Sequence, residues 1–175
     1  MGPDSIAMPL PEYLGLLEAQ GFNRFVVLHR FHYLRMNVSR AAGFLTKTWH
    51  TTAASDEPPK LTISTDHMEW GAWRGTLLER LRNLDTQHAQ LLQLLEGKRV
   101  LHLNYEEHIS NDPTVAYQAL CNFLDVPATP VSVRLRKTNP FPLHQSVNNW
   151  DEVVDALSGT EYAWMLTQEQ PPATT

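Results

Sequence analysis

Apolar positions along this chain switch between compact runs and helix-period stripes, broken by prolines, glycines and polar stretches. Residues 25–28 (F-V-V-L) form a short, unbroken, β-branched and aromatic run, the pattern of a buried strand. Residues 98–104 (K-R-V-L-H-L-N) read as a second strand. Around these two the spacing is helical. Pro11 and Glu12 open a helix to about residue 20, with Tyr13, Leu14 and Leu17 on one side and Gly21 as its stop. Leu34, Val38, Ala41, Ala42 and Leu45 predict a helix over about 33–49. The longest predicted helix covers about 69–96, on a stripe of Leu77, Leu78, Leu81, Leu84, Leu91, Leu92 and Leu95 that stops at Gly97. Asp112 and Pro113 form an N-cap and first-turn pair for a helix to about 124. Past a proline-rich stretch, 150–157 and 160–166 are helical again.

Strands separated by helices, with no internal repeat, predict an α/β fold: one domain over 1–175 with a parallel sheet flanked by helices. Residues 51–68 are polar around Pro58 and Pro59 and are expected as a long surface loop. Residues 167–175 are expected to fray. Two strands make a thin sheet, which suggests that something N-terminal is absent or that a partner chain or second copy completes the sheet.

Charge and composition narrow the function. A net charge of −5 speaks against a dedicated nucleic-acid binder. No apolar run approaches the roughly 20 residues of a membrane span, and the first residues lack the basic and apolar regions of a signal peptide. A cytoplasmic protein is the expectation. Cys121, the single cysteine, allows no intrachain disulfide and reads as a buried thiol on a helix.

The chemistry concentrates at residues 25–39, F-V-V-L-H-R-F-H-Y-L-R-M-N-V-S. A strand that delivers Arg30 to the start of a helix makes an anion site, because the first helical N–H groups lack partners and the guanidinium adds a bidentate fork. No glycine-rich phosphate loop accompanies it. Arg134, Arg136 and Lys137 form a local basic cluster in an acidic chain. The eight histidines show no zinc-type spacing, so no metal is expected. His50, beside Trp49 at the mouth of the long loop, is the candidate general base, against the commoner case of a structural histidine. Glu106 reads as a residue that starts or caps the helix after the second strand.

Four segments, in order, resemble the sulfotransferases that use 3′-phosphoadenosine-5′-phosphosulfate (PAPS), in particular the bacterial branch. L-H-R-F-H-Y-L-R-M-N-V-S resembles the strand-to-helix segment that holds the donor's 3′-phosphate, which gives that role to Arg30 and Ser39. V-L-H-L-N-Y-E-E-H resembles the strand whose tyrosine lies by the adenine, here Tyr105. D-P-T-V-A-Y-Q-A-L-C-N-F-L-D-V resembles the helix that follows. R-L-R-K-T-N-P-F-P-L-H-Q-S-V-N-N-W-D-E-V resembles the C-terminal basic loop and last helix, with Arg136 and Lys137 at the basic positions.

The resemblance spans about residues 12–166 and implies a P-loop-NTPase-like sulfotransferase fold without its first strand-loop-helix unit. It implies transfer of a sulfuryl group from PAPS to a hydroxyl or amine on a small molecule or glycan. The alternative is a catalytically inactive domain of the same lineage that binds the bisphosphate product PAP weakly or serves as an interaction module. Phe31-His32 departs from the polar pair frequent in the family, and Thr138 stands where some members carry glycine. The family's 5′-phosphosulfate loop has no counterpart in the sequence, and no acceptor base carries over.

Overall fold

The computed structural model describes residues 8–53 and 55–167. The chain forms α1 (Leu10–Ala19), β1 (Arg24–His29), α2 (Tyr33–Thr46), β2 (Met68–Trp70), β3 (Trp73–Gly75) and α3 (Leu77–Leu94). It continues with β4 (Arg99–Asn104), α4 (Tyr105–His108), α5 (Pro113–Leu124), α6 (Leu143–Ser146), α7 (Trp150–Leu157) and a closing 3-10 turn at Ala163–Leu166. The architecture is mixed α/β. β1 and β4 pair in parallel, from Arg24 opposite Arg99 to His29 opposite Asn104, and helices flank them. Of the tail expected at 167–175, residues 168–175 lie outside the described residues, as do the first seven.

The main core is built between helices. Leu34, Val38 and Ala42 of α2 meet Leu77 and Leu81 of α3, Leu143 of α6, and Val153 and Leu157 of α7. The sheet carries a smaller cluster, in which Val27 packs with Leu14 of α1 and Leu95 just past α3. Its other face is partly open: Val26 and Leu28 are 43% and 53% exposed. Cys121 is buried on α5, whose N-cap Asp112 accepts a hydrogen bond from the Thr114 amide.

Three expectations need correction. The long helix begins at Leu77 rather than near 69, because residues 68–75 fold back as the antiparallel hairpin β2–β3. Gly71 at its turn has φ +60, a conformation open to glycine at little cost. Thr76 and Glu79 then start α3 with a reciprocal capping box. α2 stops at Thr46 rather than 49: Lys47 turns left-handed at φ 55, and the Thr46 hydroxyl bonds back to the Ala42 carbonyl. The 51–68 stretch is not wholly a surface loop, since Leu61 and Ile63 are buried in the main core. Asn149 holds that segment by bonding both the amide and the carbonyl of Ile63.

Leu81 is fully buried among α2, α3 and α7 residues, whereas Val26 meets solvent. Leu81→Ala is expected to lower unfolding stability by about 2–5 kcal/mol, and Val26→Thr by about 0.5 kcal/mol or less. Urea denaturation of both variants checks the contrast, and equal losses would misplace the core.

Candidate functional site

The carboxyl ends of the two parallel strands meet at one place, and a buried carboxylate joins them. Glu106, in the first turn of α4 directly after β4, accepts hydrogen bonds from the Phe31 and His32 amides, both at 3.2 Å. Those amides sit between β1 and α2. The Arg30 guanidinium lies 3.7 Å from the same carboxylate and stacks over the Tyr105 ring at 4.3 Å to its centroid. His32 is buried as the N-cap of α2, where its Nδ1 accepts from the Arg35 amide.

This arrangement changes the picture of an open helix start. Amides here are already taken: Glu106 holds those of Phe31 and His32 just before α2, and within its first turn the Tyr33 amide donates to the Phe31 carbonyl and the Arg35 amide to His32 Nδ1. Glu106 therefore serves the neighbouring strand-to-helix junction and not only its own helix. What remains for an anion is side-chain charge. Arg30, Arg35, Arg134, Arg136 and Lys137 line one cleft of about 1380 Å³, in which Glu106 is the one carboxylate among the described lining residues. Ser39, Tyr105 and His50 line it too. Arg30, Ser39, His50, Tyr105, Arg136 and Lys137, all singled out in the sequence, thus reach one cleft from five separate segments.

Several local bonds set the cleft's far wall. The Arg136 amide donates to the Thr51 carbonyl at 2.8 Å, fastening the basic loop to the segment after α2. Buried Asn139 accepts from the Ser146 hydroxyl at 3.2 Å, which ties the loop's end to α6. Lys137 Nζ reaches the Ser110 hydroxyl at 3.0 Å. Arg35 was not singled out from the sequence. It stands four residues before Ser39, which places both on one face of α2, and that spacing was the available signal. His50 is exposed at the rim.

On the opposite side of the strand ends, His29 belongs to a different network. Its Nε2 lies 3.1 Å from the Tyr33 hydroxyl, which donates to Asp85 at 2.8 Å. Tyr162 donates to the other oxygen of Asp85. The His29 ring stacks on His88, with centroids 3.5 Å apart. Burial, then the neighbouring His88, push the His29 pKa down from 6.5 to about 4, with Asp85 opposing. Burial and the bond to Asp85 push both tyrosines up. Among the described residues no three histidine, cysteine or carboxylate groups are placed to hold a metal ion, and no helix is long and apolar enough to cross a membrane.

No protein-family model, curated protein or solved structure matches this chain.

Glu106→Ala leaves two amides without a partner and Arg30 without its carboxylate. A stability loss of about 3 kcal/mol is expected, with a smaller loss for Glu106→Gln. Denaturant melts check this, and an unchanged Glu106→Ala would show that the carboxylate does not hold the junction. His29 gives a pH dependence of definite sign. Its folded pKa lies below the unfolded 6.5, so the unfolded chain takes up the proton first. Stability is expected to fall as pH drops from about 6.5 towards 4, and His29→Phe should flatten that slope. An identical slope in the variant would contradict the assignment.

Proposed function

We propose that the cleft holds the 3′-phosphoadenosine part of PAPS, and that the protein is a sulfotransferase-type domain moving a sulfuryl group to a hydroxyl or amine acceptor. One observation carries the reading. Arg30, Ser39, Tyr105, Arg136 and Lys137, the positions that the family resemblance marks for the nucleotide, line a single cleft although they come from distant segments. Its size accommodates a nucleotide and part of a second molecule.

In this reading Arg30 and Ser39 bind the 3′-phosphate, with Arg35 on the same helix face adding charge. Tyr105 takes the adenine, and Arg136 and Lys137 approach the phosphates from the basic loop. Charge-assisted bonds of this kind are about twice as strong as neutral ones. Sulfuryl transfer further requires donors preorganised around the group in flight. The side chains gathered in this cleft supply recognition of the nucleotide, which is binding energy rather than chemistry.

A second reading, a non-catalytic domain that binds PAP, draws on a specific observation. Glu106 occupies the amides at the start of α2, and the sequence has no glycine-rich loop to offer others.

Both readings require bisphosphate binding. Titration calorimetry with adenosine 3′,5′-bisphosphate should detect it, and Arg30→Ala should weaken it by about ten- to a hundredfold, the loss of one or two charge-assisted bonds. Adenosine alone should bind far more weakly. Absent binding, or equal binding by the variant, would sink the assignment. With binding established, transfer of radiolabelled sulfate from PAPS to a panel of phenols and amines separates the enzyme from the binding domain.

A further inference from the structure

The last turn of α2 breaks the pattern that the rest of the helix obeys. Leu45 extends its apolar stripe and yet is 59% exposed, and residues 44–50 (F-L-T-K-T-W-H) are exposed throughout. Phe44 and Trp49 are 61% and 52% exposed, with ring centroids 5.1 Å apart. Both rings are braced from within the protein. Trp49 lies so close on Gly43 that an added Cβ would sit 2.7 Å from it. The Arg40 guanidinium lies 5.2 Å from the Phe44 centroid. Val133 and Leu135, also more than half exposed, line the cleft together with Trp49.

The charge around these side chains is one-sided. Residues 33–53 carry Arg35, Arg40 and Lys47, and residues 126–150 carry Arg134, Arg136 and Lys137. Neither stretch holds an aspartate or glutamate, in a chain with 19 acidic residues against 14 basic ones. The Arg136 amide fastens the two stretches together at the Thr51 carbonyl. The acids that border them in sequence are Asp56 in the following loop, Asp125 and Asp151. Asp125 pairs with Arg24 at the far end of β1, and Asp151 lies in the first turn of α7. Lys47 sits within the exposed run itself, and exposed Arg134 separates Val133 from Leu135.

We propose that this face docks on an anionic phospholipid surface, with Phe44, Leu45 and Trp49 entering the headgroup region and the cations around them meeting lipid phosphates. Exposed apolar side chains rimmed by polar ones mark an interaction surface. Charge names the occupant: apolar groups ringed by cations, with no acid among them, match a layer that is negative outside and hydrocarbon beneath. Tryptophan suits that boundary, since its ring is apolar and its N–H wants a polar partner. Leu45, Val133 and Leu135 are aliphatic and Arg40 covers one face of Phe44, which fits hydrocarbon better than stacked nucleic-acid bases. No described helix could cross a bilayer, so the contact is with its surface. The proposal does not depend on the nucleotide reading, because Phe44, Leu45 and Lys47 line no part of that cleft.

The test uses the whole chain with vesicles of equal parts phosphatidylcholine and phosphatidylserine, and with vesicles of phosphatidylcholine alone. Co-sedimentation should show binding to the anionic vesicles, weakened by added salt, and little binding to the neutral ones. Phe44→Ala and Lys47→Asp should each weaken it about tenfold. Aspartate tolerates the left-handed backbone at position 47, so that variant changes charge and not fold. Both variants should leave the titration with adenosine 3′,5′-bisphosphate unchanged. Lipids brominated near the headgroup should quench tryptophan emission, and Trp49→Phe should remove most of that quenching. Equal binding to neutral vesicles, no binding to anionic ones, variants that bind as tightly as the wild type, or quenching that survives Trp49→Phe would each overturn the proposal. So would a single-stranded oligonucleotide that binds through Phe44 and Lys47 in a protein that ignores the vesicles. Vesicle binding in a protein that fails to take the bisphosphate would support this surface and count only against the nucleotide reading.

Discussion

The Glu106 carboxylate is the constraint on which the rest of this site depends. It comes from the turn after β4, yet it accepts the amides of Phe31 and His32, in the turn after β1. Parallel strands bring those two turns to the same end of the sheet, and one buried carboxylate makes them a single rigid junction. The desolvation of that charge is offset by two amide donors and the nearby Arg30 guanidinium. Arg30 is thereby held across the Tyr105 ring, facing Ser39 and the basic loop around one cleft.

The junction also divides the chemistry. The residue that ends each strand turns to one side, and the residue that follows turns to the other. The cleft that receives Arg30 and Tyr105 is cationic within an acidic chain. The cavity that receives His29 and Asn104 is lined by apolar, histidine and charged side chains of both signs, and burial and the stacked His88 disfavour a positive charge on His29 itself. The last residue of β1 and the one after it thus present a histidine and a fixed cation to separate spaces.

Much of this was legible from local pattern. The two strands, their parallel pairing and the Asp112 cap follow from short-range signals that tertiary packing did not override. The β2–β3 hairpin was not, because the leucine stripe begins only at Leu77 and leaves residues 69–76, with the Gly71 turn, without a period that separates strand from helix. Burial of Leu61 and Ile63 depends on Asn149, far along the chain, and no local pattern announces it. At the site, the residues with charge or aromatic character stood out in sequence. The partnerships did not: Glu106 with two distant amides, or Asp85 with two tyrosines from different elements.

Glu106 closing the start of α2 means that phosphate recognition falls to side chains rather than to helix amides. Amide hydrogen exchange of Phe31 and His32, read by NMR with and without adenosine 3′,5′-bisphosphate, tests that claim directly. The account predicts that both amides are protected in the free protein and that the ligand leaves their exchange unchanged. Fast exchange in the free protein that becomes slow on adding the bisphosphate would contradict it, for it would put the phosphate where Glu106 is said to be.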